Sequence, residues 1–144
     1  MRKKNIYIVA LVAVVALPAL WVLLGSNIEK PKVYAYETYC QTAEEHEKEN
    51  EWDLARAAWL YAKANVDPIS NSLPEVNGRK AYCEYRIAMT YEREGHIELA
   101  IAHIQQALAT PAADINCFMG NNGAEEMAKD LSSLIDSTTN QMKD

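Results

Sequence analysis

Apolar residues recur with the period of an α-helix along most of this chain after its first 35 residues. One apolar stripe occupies residues 36–46 and a second occupies 52–62, with the charged segment EKENE between them. The same arrangement returns over residues 79–108, where Gly95 separates the two stripes. Because residues three and four positions apart share one helix face, this pattern predicts two pairs of amphipathic helices, each joined by a short turn.

Two segments lack this helical spacing. Residues 66–78 contain two prolines, two asparagines and a closing glycine, which predicts a loop inserted between the helix pairs. A second loop is predicted over residues 113–123. Residues 124–144 place apolar side chains, including Met127 and Leu134, on one face, which predicts a C-terminal capping helix. The predicted fold class is therefore all-α.

The two helix pairs match each other at an offset of 45 residues. Self-similarity at a fixed offset is typical of stacked helical hairpins. The alignment that sets Gly95 against Asn50 also pairs Ala88 with Ala43, Ala100 with Ala55, Ile104 with Trp59 and Ala107 with Ala62.

The segment from Ala81 to Pro111 resembles the tetratricopeptide repeat, a helix-turn-helix of about 34 residues with small residues where the helices cross. The residues that carry the resemblance are Ile87, Ala88, Tyr91, Gly95, Ile97, Ala100, Ile104, Ala107, Leu108 and Pro111. Glu84 departs from the pattern, since the family often has Trp there. The copy that begins at Tyr36 is weaker, with His46 in place of Tyr and Asn50 in place of Gly. The resemblance implies an α-solenoid fragment over residues 36–112.

The N-terminal part of the chain predicts a membrane anchor. Residues 6–24 carry no charge and, at about 1.5 Å per helical residue, reach roughly 29 Å, about the thickness of the hydrocarbon core of a bilayer. The run is longer than the apolar part of most cleaved signal peptides, so an uncleaved anchor is favoured over a cleaved one. Residues 25–35 are then a tether to the helical domain.

Charge predicts the orientation of the anchor and excludes one class of partner. Basic residues concentrate in residues 1–5, which favours a cytoplasmic N-terminus, an inner-membrane location and a domain on the periplasmic side. Without Arg2, Lys3 and Lys4 the chain keeps 11 basic and 20 acidic residues, a net charge of −9. Nucleic acid is therefore not an expected partner.

The resemblance also implies a partner-binding groove lined by the first helix of each hairpin. In this sequence the corresponding residues are Glu37, Cys40, Glu44, Glu47, Tyr82, Tyr85, Met89, Glu92 and Arg93. Tyr offers flat amphipathic surface and Met adapts to varied shapes, so a peptide or helix is the expected ligand.

Three cysteines lie in the part predicted to be exported, where a disulfide is permitted. Cys83 with Cys117 is the preferred bridge, because it would hold the irregular segment 113–123 in place. Cys40 with Cys83 is the competing pair, and a remaining thiol at Cys40 could instead join two chains in a homodimer.

The motifs of an enzyme are not found. There is no nucleophile elbow, phosphate loop or HExxH pattern, and His103 is expected on the outer side of its helix. Neither a cofactor nor a metal ion is predicted. The sequence thus predicts a scaffold that organises proteins in a bacterial envelope assembly, such as a secretion or pilus machine. The alternatives are a periplasmic holdase and a structural protein whose self-association depends on its cysteines.

Overall fold

The computed structural model describes residues 30–67 and 71–141. Their secondary structure consists of α-helices, with no strand among these residues, so the predicted all-α class is confirmed for this part of the chain. The helices are α1 (Lys30–Lys48), α2 (Trp52–Ala64), α3 (Leu73–Arg93), α4 (Ile97–Leu108), α5 (Ala112–Met119) and α6 (Gly123–Gln141).

The predicted anchor over residues 6–24 and the N-terminal residues 1–5 lie outside the described residues. Within the described ranges, no helix combines the length and the apolar character that crossing a bilayer requires. The predicted tether, residues 25–35, is described only from Lys30 onward, where it already forms the first turns of α1. The described residues from Val33 onward belong to one compact unit.

The turns that join α1 to α2 and α3 to α4 have the same backbone geometry. Asn50 and Gly95, the two residues aligned in the sequence, both have a left-handed backbone, with φ of 59° and 81°. Each occurs two residues after one helix ends and two before the next begins. The backbone hydrogen bonds also match, Asn50 N–H to Glu47 O with Gly95 N–H to Glu92 O, and Glu51 N–H to His46 O with His96 N–H to Tyr91 O.

The helices within each pair run antiparallel. Tyr39 of α1 stacks on Tyr61 of α2 with ring centroids 5.4 Å apart, and Trp59 donates a hydrogen bond of 2.7 Å to Glu47 near the turn. Helix α3 lies at the centre of the unit and packs against α2, α4 and α5, while α6 packs against α4 and α5.

Two groups of buried side chains fill the interior. The first joins α1, α2 and α3 around Trp59, which is fully buried. The second joins α3, α4, α5 and α6 around Ile104, Ile115 and Met127, also fully buried. Helix α3 contributes to both groups, so it connects the first helix pair to the C-terminal helices.

Both predicted loops are partly helical in the structure. Residues 73–78 of the predicted 66–78 loop form the start of α3, because Pro74 is tolerated in a first helical turn and Glu75 favours that turn electrostatically. Most of the predicted 113–123 loop is α5, which buries Ile115 completely. The predicted capping helix corresponds to α6, with residues 142–144 outside the described ranges.

Candidate binding groove between α1, α3 and α5

Helices α1 and α3 lie side by side and run parallel. The guanidinium of Arg79 lies 4.9 Å from the ring centroid of Tyr36, and Arg86 forms an ion pair with Glu47, farther along both helices. Both contacts join residues about 40 positions apart in the sequence. The exposed faces of α1 and α3 therefore form the two walls of one groove, hereafter the α1–α3 groove.

Helix α5 closes the N-terminal end of this groove because α3 has no side chain at Gly78. A Cβ atom there would lie 2.3 Å from the carbonyl oxygen of Asp114 and 2.8 Å from the Cβ of Phe118. Asn77 also donates a hydrogen bond of 2.8 Å to the Asp114 carboxylate. This close approach brings Phe118 and Met119 to the edge of the groove.

The α5 end of the groove is an open cavity of about 500 Å³ with an aromatic wall and an acidic rim. Tyr82 meets Phe118 edge to face at 5.5 Å, and the Arg79 guanidinium lies 5.3 Å from the centroid of the Phe118 ring. The cavity is lined by Tyr36, Glu37, Cys40, Gln41, Glu44, Tyr82, Phe118 and Met119. Flat aromatic surface beside carboxylates suits an apolar segment that also carries basic side chains.

The other end of the groove, near the α1–α2 turn, is a cavity of about 600 Å³ with charges of both signs. It is lined by Glu44, Glu47, Lys48, Asn50, Trp52, Arg86, Met89, Thr90 and Arg93. Glu44 lines both cavities. The two cavities therefore adjoin along α1.

Arg86 organises the centre of the groove. It forms an ion pair with Glu47, donates a hydrogen bond of 2.7 Å to the Tyr82 hydroxyl, and lies 4.8 Å from the ring centroid of Trp59. Burial opposes the charge, but Tyr82 and Glu47 outweigh that effect, so the pKa of Arg86 is raised above its usual value. These bonds fix the Tyr82 ring in the groove wall.

The structure brings seven of the nine predicted groove residues to these cavities. Glu37, Cys40, Glu44 and Tyr82 line the α5 end, and Glu47, Met89 and Arg93 line the end near the turn. Tyr85 lies elsewhere, where its hydroxyl donates a hydrogen bond of 2.5 Å to Asp130 of α6. Burial and this bond raise its pKa. Glu92 is exposed and lines neither cavity.

Sequence reasoning missed Phe118 and Met119, because it treated their segment as a loop. It also missed Arg86, whose position four residues after Tyr82 on α3 places both on one helix face. The four-residue spacing of Tyr82 and Arg86 was therefore a signal that the alignment with the repeat pattern did not use.

The three cysteines are free thiols in the structure, so neither predicted disulfide is formed there. Cys117 is exposed on α5, whereas Cys83 is fully buried on α3 and meets Cys40 of α1. A hydrogen bond from the Cys83 thiol lowers the pKa of Cys40. The same bond, together with burial, raises the pKa of Cys83.

One group among the described residues has the donor atoms to hold a metal ion. Ligand atoms of His46, Glu49 and Glu51 lie within 4.8 Å of one another at the α1–α2 turn. Glu51 accepts a hydrogen bond of 2.6 Å from Nδ1 of His46, and this bond explains why these two side chains lie close together at the turn.

Comparison of the sequence with protein-family models, with curated proteins and with solved structures found no match.

Proposed function

We propose that this protein is a membrane-anchored interaction module that binds a segment of a partner protein in the α1–α3 groove. The observation that carries the proposal is the groove itself, because it places an aromatic wall next to exposed carboxylates on a rigid pair of helices. Aromatic side chains supply large contact area at low entropic cost, and rigid walls reduce the ordering cost of binding.

The form of the groove supports the assignment of this helical unit to the tetratricopeptide-like class. Two antiparallel helix pairs with matching turns follow one another, and their first helices run side by side. In that arrangement the α5–α6 pair is a shortened third unit that covers the second pair. The groove then corresponds to the concave surface on which such repeats bind peptides or helices.

The partner segment that fits is an apolar helix or peptide with Lys or Arg beside its apolar residues. Tyr82, Phe118 and Met119 offer the apolar contact, while Glu37 and Glu44 stand at the rim. Rim charges mainly steer association and select partners, so the carboxylates give the groove its preference for basic segments.

The anchor and the location are part of this proposal. Residues 6–24 hold the chain in the inner membrane, with the helical unit on the periplasmic side. Anchoring confines the groove to the membrane surface, where it recruits components of an envelope assembly. Alkaline extraction of membranes tests this step: the full chain should stay in the pellet, and a chain without residues 6–24 should be released. Release of the full chain would contradict the anchor.

Site-specific photocrosslinking in native membranes tests the groove. A photoreactive residue replaces Gln41, which lines the α5 end, or Gln106, which is exposed on α4. Both are exposed glutamines on helices, so the pair is matched. We expect a discrete adduct from position 41 alone, which mass spectrometry then identifies.

Charge reversal tests the chemistry of the partner in the same assay. Glu37→Arg with Glu44→Arg should abolish the adduct from position 41, whereas Glu45→Arg, at an exposed position outside both cavities, should leave it unchanged. Adducts with many unrelated exported proteins would favour a holdase. Adducts only with a second copy of the chain would favour the structural, self-associating alternative.

A further inference from the structure

The parallel packing of α1 and α3 sets Cys40 opposite Cys83. One helical turn before them, Tyr36 contacts Arg79, which lies 43 positions later, the same separation as that between the two cysteines. Farther along, Glu47 pairs with Arg86. The two thiols therefore lie between contacts that fix the register of the helices, and Cys40 packs against the buried group that contains Cys83.

The two cysteines differ in their access to solvent. Cys40 is only partly buried and lines the α5 end of the groove, so a small solute can reach it. Cys83 has no exposed surface and is reached only through its neighbour across the interface. This arrangement places an accessible thiol directly in front of a protected one.

We propose that Cys40 and Cys83 are a thiol pair that reacts with a disulfide-bearing oxidant and closes a reversible bond between α1 and α3. The proposal does not depend on what the groove binds.

In the first step the Cys40 thiolate attacks a sulfur of the oxidant, forms a mixed disulfide and releases one thiolate. In the second, Cys83 gives up its proton and attacks the sulfur of Cys40, which expels the second half of the oxidant as a thiol. The two cysteines lose two electrons and two protons, and the oxidant disulfide is reduced to two thiols.

A third group at this interface favours the first step. The hydroxyl of Tyr36 is buried and has no oxygen or nitrogen partner in the structure. Burial raises the pKa of Tyr36, and the neighbouring Cys83 and Cys40 raise it further, so the hydroxyl keeps its proton. A protonated hydroxyl beside Cys40 can donate to the sulfur anion that forms there.

Thiol counting in the full-length chain with Cys117→Ser tests the proposal. This background removes the exposed cysteine and leaves only the pair. The folded protein is treated with glutathione disulfide, then denatured and alkylated with a maleimide mass tag. We expect two tags on the reduced chain and none on the oxidised chain, whose mass should be lower by two hydrogen atoms.

Two variants in this background test the order of the steps. Cys83→Ala should trap one glutathione on Cys40, because the thiol that resolves the mixed disulfide is missing. Cys40→Ser should leave Cys83 reduced and open to a tag after denaturation.

The proposal would be overturned by two tags on the oxidised Cys117→Ser chain with its helicity intact, by glutathione on Cys83, or by a bond between two chains. The first of these readouts needs no substitution within the pair, so a folding defect in either variant leaves the test decisive.

Discussion

The buried carboxylate of Glu84 accepts a hydrogen bond of 2.7 Å from Nδ1 of His103. Only 4 % of Glu84 is exposed, and its other carboxylate oxygen accepts a hydrogen bond from Lys63 of α2. One side chain of α3 therefore links α2 to α4, and with them the two helix pairs. Glu84 stands where the tetratricopeptide pattern often has Trp, and His103 was expected on the outer side of its helix; in the structure these two side chains form a polar contact.

Replacing Glu84 with Ala should lower the free energy of unfolding by about 2 kcal/mol. Removing one member of a buried ionic group leaves its partners uncompensated, which costs most when they cannot reach water. The side chains of Lys63 and His103 are 30 % and 25 % exposed in the folded protein. Both can therefore turn to solvent in the variant and recover part of the lost free energy. Urea unfolding of the full chain measures the difference.

Glu45→Ala is the control for this change, because Glu45 is exposed on α1 and substitutions of that kind usually alter stability by less than about 0.5 kcal/mol. Equal stability of the Glu84 and Glu45 variants would show that the link between α2 and α4 contributes nothing to stability.

Removing the hydroxyl groups of Tyr36 and Tyr85 should have opposite effects. The Tyr36 hydroxyl is buried with no oxygen or nitrogen partner, and its neighbour Cys40 offers only a weakly accepting sulfur, so Tyr36→Phe removes a poorly satisfied group and should raise the free energy of unfolding by about 1 kcal/mol. The Tyr85 hydroxyl donates to Asp130, so Tyr85→Phe should lower it by about 1 kcal/mol. Each substitution is the matched control of the other, and thermal unfolding monitored by circular dichroism compares them. A loss of stability with Tyr36→Phe would show that its hydroxyl makes a strong hydrogen bond in solution.

The absence of a side chain at Gly78 should be essential for the position of α5. Gly78→Ala places a methyl group 2.3 Å from the backbone oxygen of Asp114, and overpacking of this kind typically costs about 2 kcal/mol. Because the contact is with backbone, α5 itself must move. Amide hydrogen exchange should accelerate across residues 112–119.

Gly95→Ala is the matched control for Gly78→Ala. Gly95 has a φ of +81° and open space around it, so the alanine should cost about 1 kcal/mol through backbone strain alone. Exchange in α5 should then stay unchanged. Acceleration there in both variants would mean that general destabilisation, and not the contact at Gly78, controls α5.

The sequence predicted best what local spacing determines. Asn50 and Gly95 were aligned by sequence alone, and the structure gives both the left-handed backbone that ends a helix. It predicted poorly what depends on distant partners. Pro74 and Gly78 indicate a loop when considered alone, yet Pro74 falls in a first helical turn and Gly78 faces α5.

The placement of Tyr85 shows the same limit within the candidate groove. Its spacing from Tyr82 is compatible with one helix face, but α3 is covered on several sides, and periodicity does not state which neighbour each side meets. Asp130 of α6, 45 residues away, binds the hydroxyl, so Tyr85 packs against the second buried group, whereas Tyr82 packs against the first and lines the groove. Only the packing of α6 determines that choice.

The reactivity of Cys40 should depend on pH in a way that identifies its neighbours. Its pKa lies below that of an ordinary thiol, chiefly because Cys83 donates a hydrogen bond to its sulfur, while Tyr36 and Arg79 act in the same direction. Burial and the negative charge of Glu44 oppose the shift. Since the thiolate is the reactive form, alkylation by iodoacetamide in the Cys117→Ser chain should reach half its plateau rate at a lower pH than alkylation of an ordinary thiol does.

Two substitutions should move this midpoint in opposite directions. Cys83→Ala removes the largest stabilising contact of the thiolate, so the pKa of Cys40 should rise and the midpoint should move to higher pH. Glu44→Gln removes a nearby negative charge that opposes ionisation, so the midpoint should move to lower pH. Mass spectrometry of quenched samples follows both. If the Cys83→Ala variant keeps its helicity and its midpoint does not change, the two thiols do not interact in solution. The substitution removes only one hydrogen-bond donor to the Cys40 sulfur, the Cys83 thiol, so an unchanged midpoint has no other explanation.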